Sequence, residues 1–110
     1  MQLSPYSTIS NNRSLRDGGG LALNAYRGSN LELSNSTISG NFSEAGGAGI
    51  ALNGRGLPLK SDSSEKRFGN YYTNLDLINS TVTNNTASAY GGGISNTGYL
   101  SIQNSIIANN

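Results

Sequence analysis

The chain has 110 residues, seven basic and six acidic side chains, a net charge of +1, and neither cysteine nor histidine. That composition excludes disulfide and thiolate chemistry, imidazole metal ligands and a Ser-His-Asp triad. It also leaves no basic field to gather nucleic acid or an anionic membrane surface.

Hydrophobic residues make up 35 % of the sequence, and the balance is glycine, serine, asparagine and threonine rather than charge. Disorder usually joins low hydrophobicity to high net charge, so a folded chain with hydrogen-bonded side chains is the better expectation. No run approaches the ~18 apolar residues of a membrane-spanning helix. The opening "MQLSPYSTIS" has no basic stretch ahead of an apolar one, so no signal peptide is visible.

In chain order, the first element is "YSTISNN" at Tyr6–Asn12, with Ile9 flanked by Thr8 and Ser10. A glycine cluster, Gly18–Gly20, follows, and then Leu21 and Leu23 alternate with polar neighbours. "LELSN" at Leu31–Asn35 alternates in the same way and leads into "NSTISGN" at Asn35–Asn41. "GAGI" at Gly47–Ile50 opens the next alternating run. After the insert, "LDLIN" at Leu75–Asn79 leads into "NSTVTNN" at Asn79–Asn85, and "GGGI" at Gly91–Ile94 follows. The chain closes with Leu100, Ile102 and "NSIIANN" at Asn104–Asn110.

The recurrence has one frame. Ser7, Ser36, Ser80 and Ser105 lie 29, 44 and 25 residues apart. All the surplus length falls between a glycine-led strand and the next Leu-x-Leu, which places it at one corner of a stacked object. Alternation with period two predicts strands. The phase slips by one residue at each Asn-Ser, and a one-residue slip turns every side chain over, so a corner stands there. The expected fold is all-β: a parallel β-solenoid of about three coils, each with three short strands. Residues 1–110 read as a single segment with a loop insertion at about 54–73. The absence of a polar cap at either end reads as a piece of a longer array, so further coils of the same parent chain are expected partners.

Asparagine at a corner can build a ladder, bonding backbone in its own turn and the equivalent amide one layer away. Asn35, Asn79 and Asn104 form one candidate rank; Asn12, Asn41, Asn85 and Asn110 form the other. Glu32 and Asp76 share a frame position on adjacent coils and are the candidate catalytic carboxylates. The plainer reading is a pair of solvated side chains. Thr8-x-Ser10, Thr37-x-Ser39 and Thr81-x-Thr83 predict two outward files of hydroxyls. Such files suit ordered water, as in ice-binding solenoids, a polysaccharide, or simply a wet strand face. In the insert, Arg67, Phe68, Tyr71 and Tyr72 are candidate binding residues, because tyrosines beside charge suit a sugar ring or a protein partner. No metal site and no cofactor are predicted, and the glycine clusters fit neither a nucleotide loop nor the calcium-binding nonapeptide repeat.

These motifs resemble bacterial right-handed parallel β-helix repeat proteins, whose repeat runs close to "L-x-L-x-N-S-T-I-S-G-N" followed by "G-G-G-I". The relatives implied include autotransporter-like passengers and pectate-lyase-like enzymes. "GGA" at Gly46–Ala48 is also similar to the repeats of polymorphic outer membrane proteins. The resemblance implies right-handed coiling and an extracellular or outer-surface location. It implies a structural, displayed segment in contact with carbohydrate or a host or cell-surface protein. The alternative it implies is a fragment of a polysaccharide lyase or hydrolase, where Glu32 and Asp76 could hold calcium.

Overall fold

A computed structural model describes residues 6–24, 29–53 and 73–110. The chain winds through four strand positions per turn. The first turn supplies β1 (Thr8–Ser10), β2 (Arg13–Ser14) and β3 (Leu21–Asn24). The second supplies β4 (Ser29–Ser34), β5 (Thr37–Ser39), β6 (Phe42–Ser43) and β7 (Ile50–Asn53). The third supplies β8 (Thr73–Ile78), β9 (Thr81–Thr83), β10 (Thr86–Ala87) and β11 (Ile94–Asn96). The last supplies β12 (Tyr99–Gln103) and β13 (Ile106–Ala108).

Equivalent strands stack in parallel into four sheets, ordered β1-β5-β9-β13, β2-β6-β10, β3-β7-β11 and β4-β8-β12. The fold is an all-β parallel solenoid of about three coils, and the described residues contain no helix. Each coil carries one strand position more than the three expected from sequence. The added strand, β2, β6 or β10, is two residues long, and its pairs are Arg13 with Phe42 and Phe42 with Thr86.

The pairing register follows the sequence frame. Leu31, Leu75 and Leu100 align, as do Leu33, Leu77 and Ile102. On the next sheet Ile9, Ile38, Val82 and Ile107 align. These columns, with Ile50, Leu52 and Leu23, form the core; Leu33, Ile38, Ile50, Leu52, Leu75, Leu77 and Val82 are at most 1 % exposed. One coil's apolar side chains could not offset the ordering of its own backbone. Stacking makes the column continuous and satisfies the backbone of each coil with its neighbours.

The corners need two kinds of backbone. Asn35, Asn79 and Asn104 adopt φ of 49°, 49° and 47°, and Gly18, Gly47 and Gly91 adopt 69°, 59° and 60°. Asparagine and glycine are the residues that enter this left-handed region at least cost. Residues 54–72 lie in sequence between β7 and β8. In the following coil the same corner is a short turn, where Gly98 N–H donates to Asn96 Oδ1 at 2.8 Å. The same two sheets are thus joined by 19 residues in one coil and by a tight turn in the next, which is why insertions gather there.

Candidate functional site

Two side-chain ladders run along the inside of the stack. The first is made by the serines that follow each corner asparagine. Ser7 N–H donates to Ser36 Oγ (3.1 Å), Ser36 N–H to Ser80 Oγ (3.1 Å), and Ser80 N–H to Ser105 Oγ (3.0 Å). Each hydroxyl in turn donates to a carbonyl two residues back: Ser36 to Ser34, Ser80 to Ile78 and Ser105 to Gln103, all at 2.8 Å. The hydroxyl therefore pins its own corner while accepting from the coil above. This ladder has no counterpart in the sequence expectations, where these serines served only to mark the frame.

The second ladder is the asparagine rank at positions 12, 41, 85 and 110. Asn41 Oδ1 accepts from Asn12 N–H (3.0 Å) and Nδ2 (3.1 Å), Asn85 Oδ1 accepts from Asn41 N–H (3.0 Å) and Nδ2 (2.9 Å), and Asn110 Oδ1 accepts from Asn85 N–H (3.1 Å) and Nδ2 (3.0 Å). The other amide hydrogen reaches back to a core-strand carbonyl: Asn41 to Ile9, Asn85 to Ile38, Asn110 to Val82. Asn41 and Asn85 are at most 1 % exposed. A buried amide has four hydrogen-bonding valences, and here all four are met.

The glycine clusters make room for this rank. A Cβ on Gly20, Gly49 or Gly93 would stand 2.8–3.0 Å from the Nδ2 of Asn41, Asn85 or Asn110. Asn35, Asn79 and Asn104 behave differently. They are exposed, and among the described residues no side-chain hydrogen bond joins them; what they contribute is the positive φ of the corner.

The outer faces carry the candidate sites. Glu32 and Asp76 are direct partners on β4 and β8, with Ser101 next in the column. Asn74 Nδ2 donates to Asn30 Oδ1 at 2.7 Å one position pair away. Directly opposed like charges disfavour each other modestly. Among the described residues no three acidic, histidine or cysteine side chains gather where they could hold a metal ion. The pair can accept hydrogen bonds on the outer face of this sheet.

On the neighbouring sheet Thr8, Thr37 and Thr81 form one file and Ser10, Ser39 and Thr83 the other, with Ile106 and Ala108 ending them. Rungs of paired strands lie ~4.8 Å apart, so the face is a short two-column array of hydroxyls.

A third surface feature sits at the two-residue strands. The Arg13 guanidinium lies 5.1 Å over the Phe42 ring and bonds Glu44 Oε1 at 2.7 Å. Asp17 Oδ1 accepts from Gly46 N–H at 2.9 Å. The Tyr90 ring lies against Gly46, where a Cβ would meet Cε2 at 2.2 Å. Each of these contacts joins residues of neighbouring coils and ties the corner together. Arg67, Phe68, Tyr71 and Tyr72 lie outside the described residues.

Residues 79–97 match the model of the Chlamydia polymorphic membrane protein repeat. The matched stretch, "NSTVTNNTASAYGGGISNT", lies in the third turn, from the corner at Asn79 past the end of β11. The sequence resemblance had pointed instead to Gly46–Ala48 in the second turn. The matched residues span a corner, its strands and a glycine cluster, and they do not include that tripeptide. No curated protein and no solved structure is significantly similar to the chain, so no pectate-lyase-like relative is found. The chain thus carries one repeat similar to those of a bacterial polymorphic membrane protein family, built into a parallel β-solenoid.

Proposed function

We propose that the chain is a non-catalytic, surface-displayed repeat segment of a bacterial outer-surface protein, a rigid polar stack that makes contact with carbohydrate or with a host or cell-surface protein. The observation that carries this reading is the match of residues 79–97 to a polymorphic membrane protein repeat. The geometry is consistent with it. The recurring frame is spent on stacking: among the described residues, serine and asparagine ladders, corner asparagines and space-making glycines all serve the coil. Display needs only such a scaffold and an exposed face or loop. On this reading Arg67, Phe68, Tyr71 and Tyr72 in the insert are the contact residues, an assignment that rests on their side-chain chemistry alone.

The test has two parts. Protease treatment of intact source cells should release or cut this segment, and protection until lysis would overturn surface display. Binding of the purified chain to glycan and cell-surface panels should weaken on joint replacement of Tyr71 and Tyr72 by alanine; unchanged binding would remove the insert from the account.

A further inference from the structure

Asparagine followed two residues later by serine or threonine occurs at Asn12, Asn35, Asn41, Asn79 and Asn84. The fold sorts these five into two groups. In two of them both polar side chains are committed to the stack. Asn41 is buried and donates both amide hydrogens, and Ser43, also buried, donates to the Gly46 carbonyl. Asn12 Nδ2 donates to Asn41 Oδ1, and Ser14 Oγ donates to the Asp17 carbonyl.

The other three face outward. Asn35, Asn79 and Asn84 are exposed, at φ 49°, 49° and 56°. Among the described residues their side-chain amides make no hydrogen bond, and neither do the hydroxyls of Thr37, Thr81 and Thr86. The residue between each pair is the hidden one: Ser36, Ser80 and Asn85 are buried in the ladders. An N-glycosylation acceptor needs the asparagine and the hydroxyl and leaves the middle residue open, proline excepted. The stack consumes that middle residue and presents the other two.

We propose that Asn35, Asn79 and Asn84 are sites of N-linked glycosylation on the folded chain. The donor is a sugar activated by a diphosphate, carried on a nucleoside or on a lipid, and a transferase of the source cell performs the step. The asparagine Nδ2 bonds to the anomeric carbon. The bond from that carbon to the diphosphate oxygen breaks, its electron pair leaves with the diphosphate, and the amide proton passes to the transferase's base. Asn79 precedes β9 and Asn84 follows it, so the sugars project from both ends of that strand and leave the inner columns untouched. Such a bulky, solubilising group suits a displayed surface.

The test incubates the whole 110-residue protein with source-cell cytosol and labelled nucleoside-diphosphate hexoses, and in a second arm with source-cell membranes carrying labelled lipid-linked sugar. Tandem mass spectrometry then maps the label. It should appear in one arm at Asn35, Asn79 and Asn84. It should be absent from Asn41, and from Asn104, an exposed corner at φ 47° with Ile106 in place of the hydroxyl. Thr81→Val, at an outward strand position that valine suits, should abolish label at Asn79 and leave Asn35 unchanged. Ile106→Thr, at a position 60 % exposed, should add label at Asn104. No label in either arm, label at Asn41, or label at Asn79 that survives Thr81→Val would each overturn the proposal.

Discussion

Replacing Asn85 by alanine isolates the asparagine ladder. The side chain is fully buried, accepts from the N–H and Nδ2 of Asn41, and donates to the Ile38 carbonyl and Asn110 Oδ1. Truncation strands three groups inside the stack: Asn41 N–H, one hydrogen of Asn41 Nδ2, and the acceptance site on Ile38. An unsatisfied buried polar group costs ~1–3 kcal/mol, so the variant should lose about 3–9 kcal/mol, a large part of the ~5–15 kcal/mol that holds a small domain together. Asn84 is the internal control. It is exposed at φ 56°, and its side chain makes no hydrogen bond among the described residues. Asn84→Ala should cost about 1 kcal/mol, because alanine lacks the short polar side chain that eases asparagine into the left-handed region. Urea denaturation followed by circular dichroism measures both variants, and exchange at the Asn41 amide localises the loss. Equal destabilisation of the two variants, or a loss below ~1 kcal/mol for Asn85→Ala, would refute the assignment of the ladder as a principal tie between coils.

Other substitutions have distinct expected outcomes by the same assay. Ser80→Ala removes the acceptor for Ser36 N–H and the donor to Ile78 and should cost about 2 kcal/mol; a neutral result would make the serine ladder incidental. Gly49→Ala drives a Cβ to 2.5 Å from the Gly93 carbonyl oxygen, a backbone atom in the buried stack, and should cost about 3 kcal/mol. Gly46→Ala meets only the half-exposed Tyr90 ring, which can swing away, and should cost about 1 kcal/mol. Leu77→Ala, at a fully buried position, should cost ~2–5 kcal/mol, whereas Ile102→Ala, at a half-exposed position, should cost about 1 kcal/mol. Glu32→Gln should leave the protein without any change in activity on acidic glycans, with or without calcium; loss of a measurable cleavage would restore the enzyme reading.

Much of the coil was legible because its signals are redundant. Leu-x-Leu, the phase slip at Asn-Ser and the glycine cluster each mark the same rung, and their columns align residue for residue. The fourth strand was hidden because it is two residues long and its inward residues are the small Ser14, Ser43 and Ala87, which leave no alternation to read. The serine ladder was hidden by the habit of placing polar residues outside: Ser36 and Ser80 are 5 % and 2 % exposed, and only their neighbours one coil away make that burial tolerable. The two asparagine ranks look alike in sequence, yet one is selected for a buried amide and the other for a backbone angle. Glycine three residues into each cluster is the retrospective clue, since it recurs wherever the buried amide needs space. Outward residues such as Glu32 and Asp76 could be placed on their face, but their spacing alone assigns them no chemistry.

The account's central claim is that equivalent residues of successive coils stand in single columns, one rung apart. Methyl–methyl nuclear Overhauser contacts in the isotope-labelled chain test it directly. With rungs ~4.8 Å apart, Leu33 should show a strong contact to Leu77 and Leu77 to Ile102, with Ile38–Val82–Ile107 repeating the pattern on the next sheet and rungs two apart giving only weak contacts. Strong contacts that instead join residues out of frame, or absence of the Leu33–Leu77 contact, would contradict the solenoid and everything built upon it.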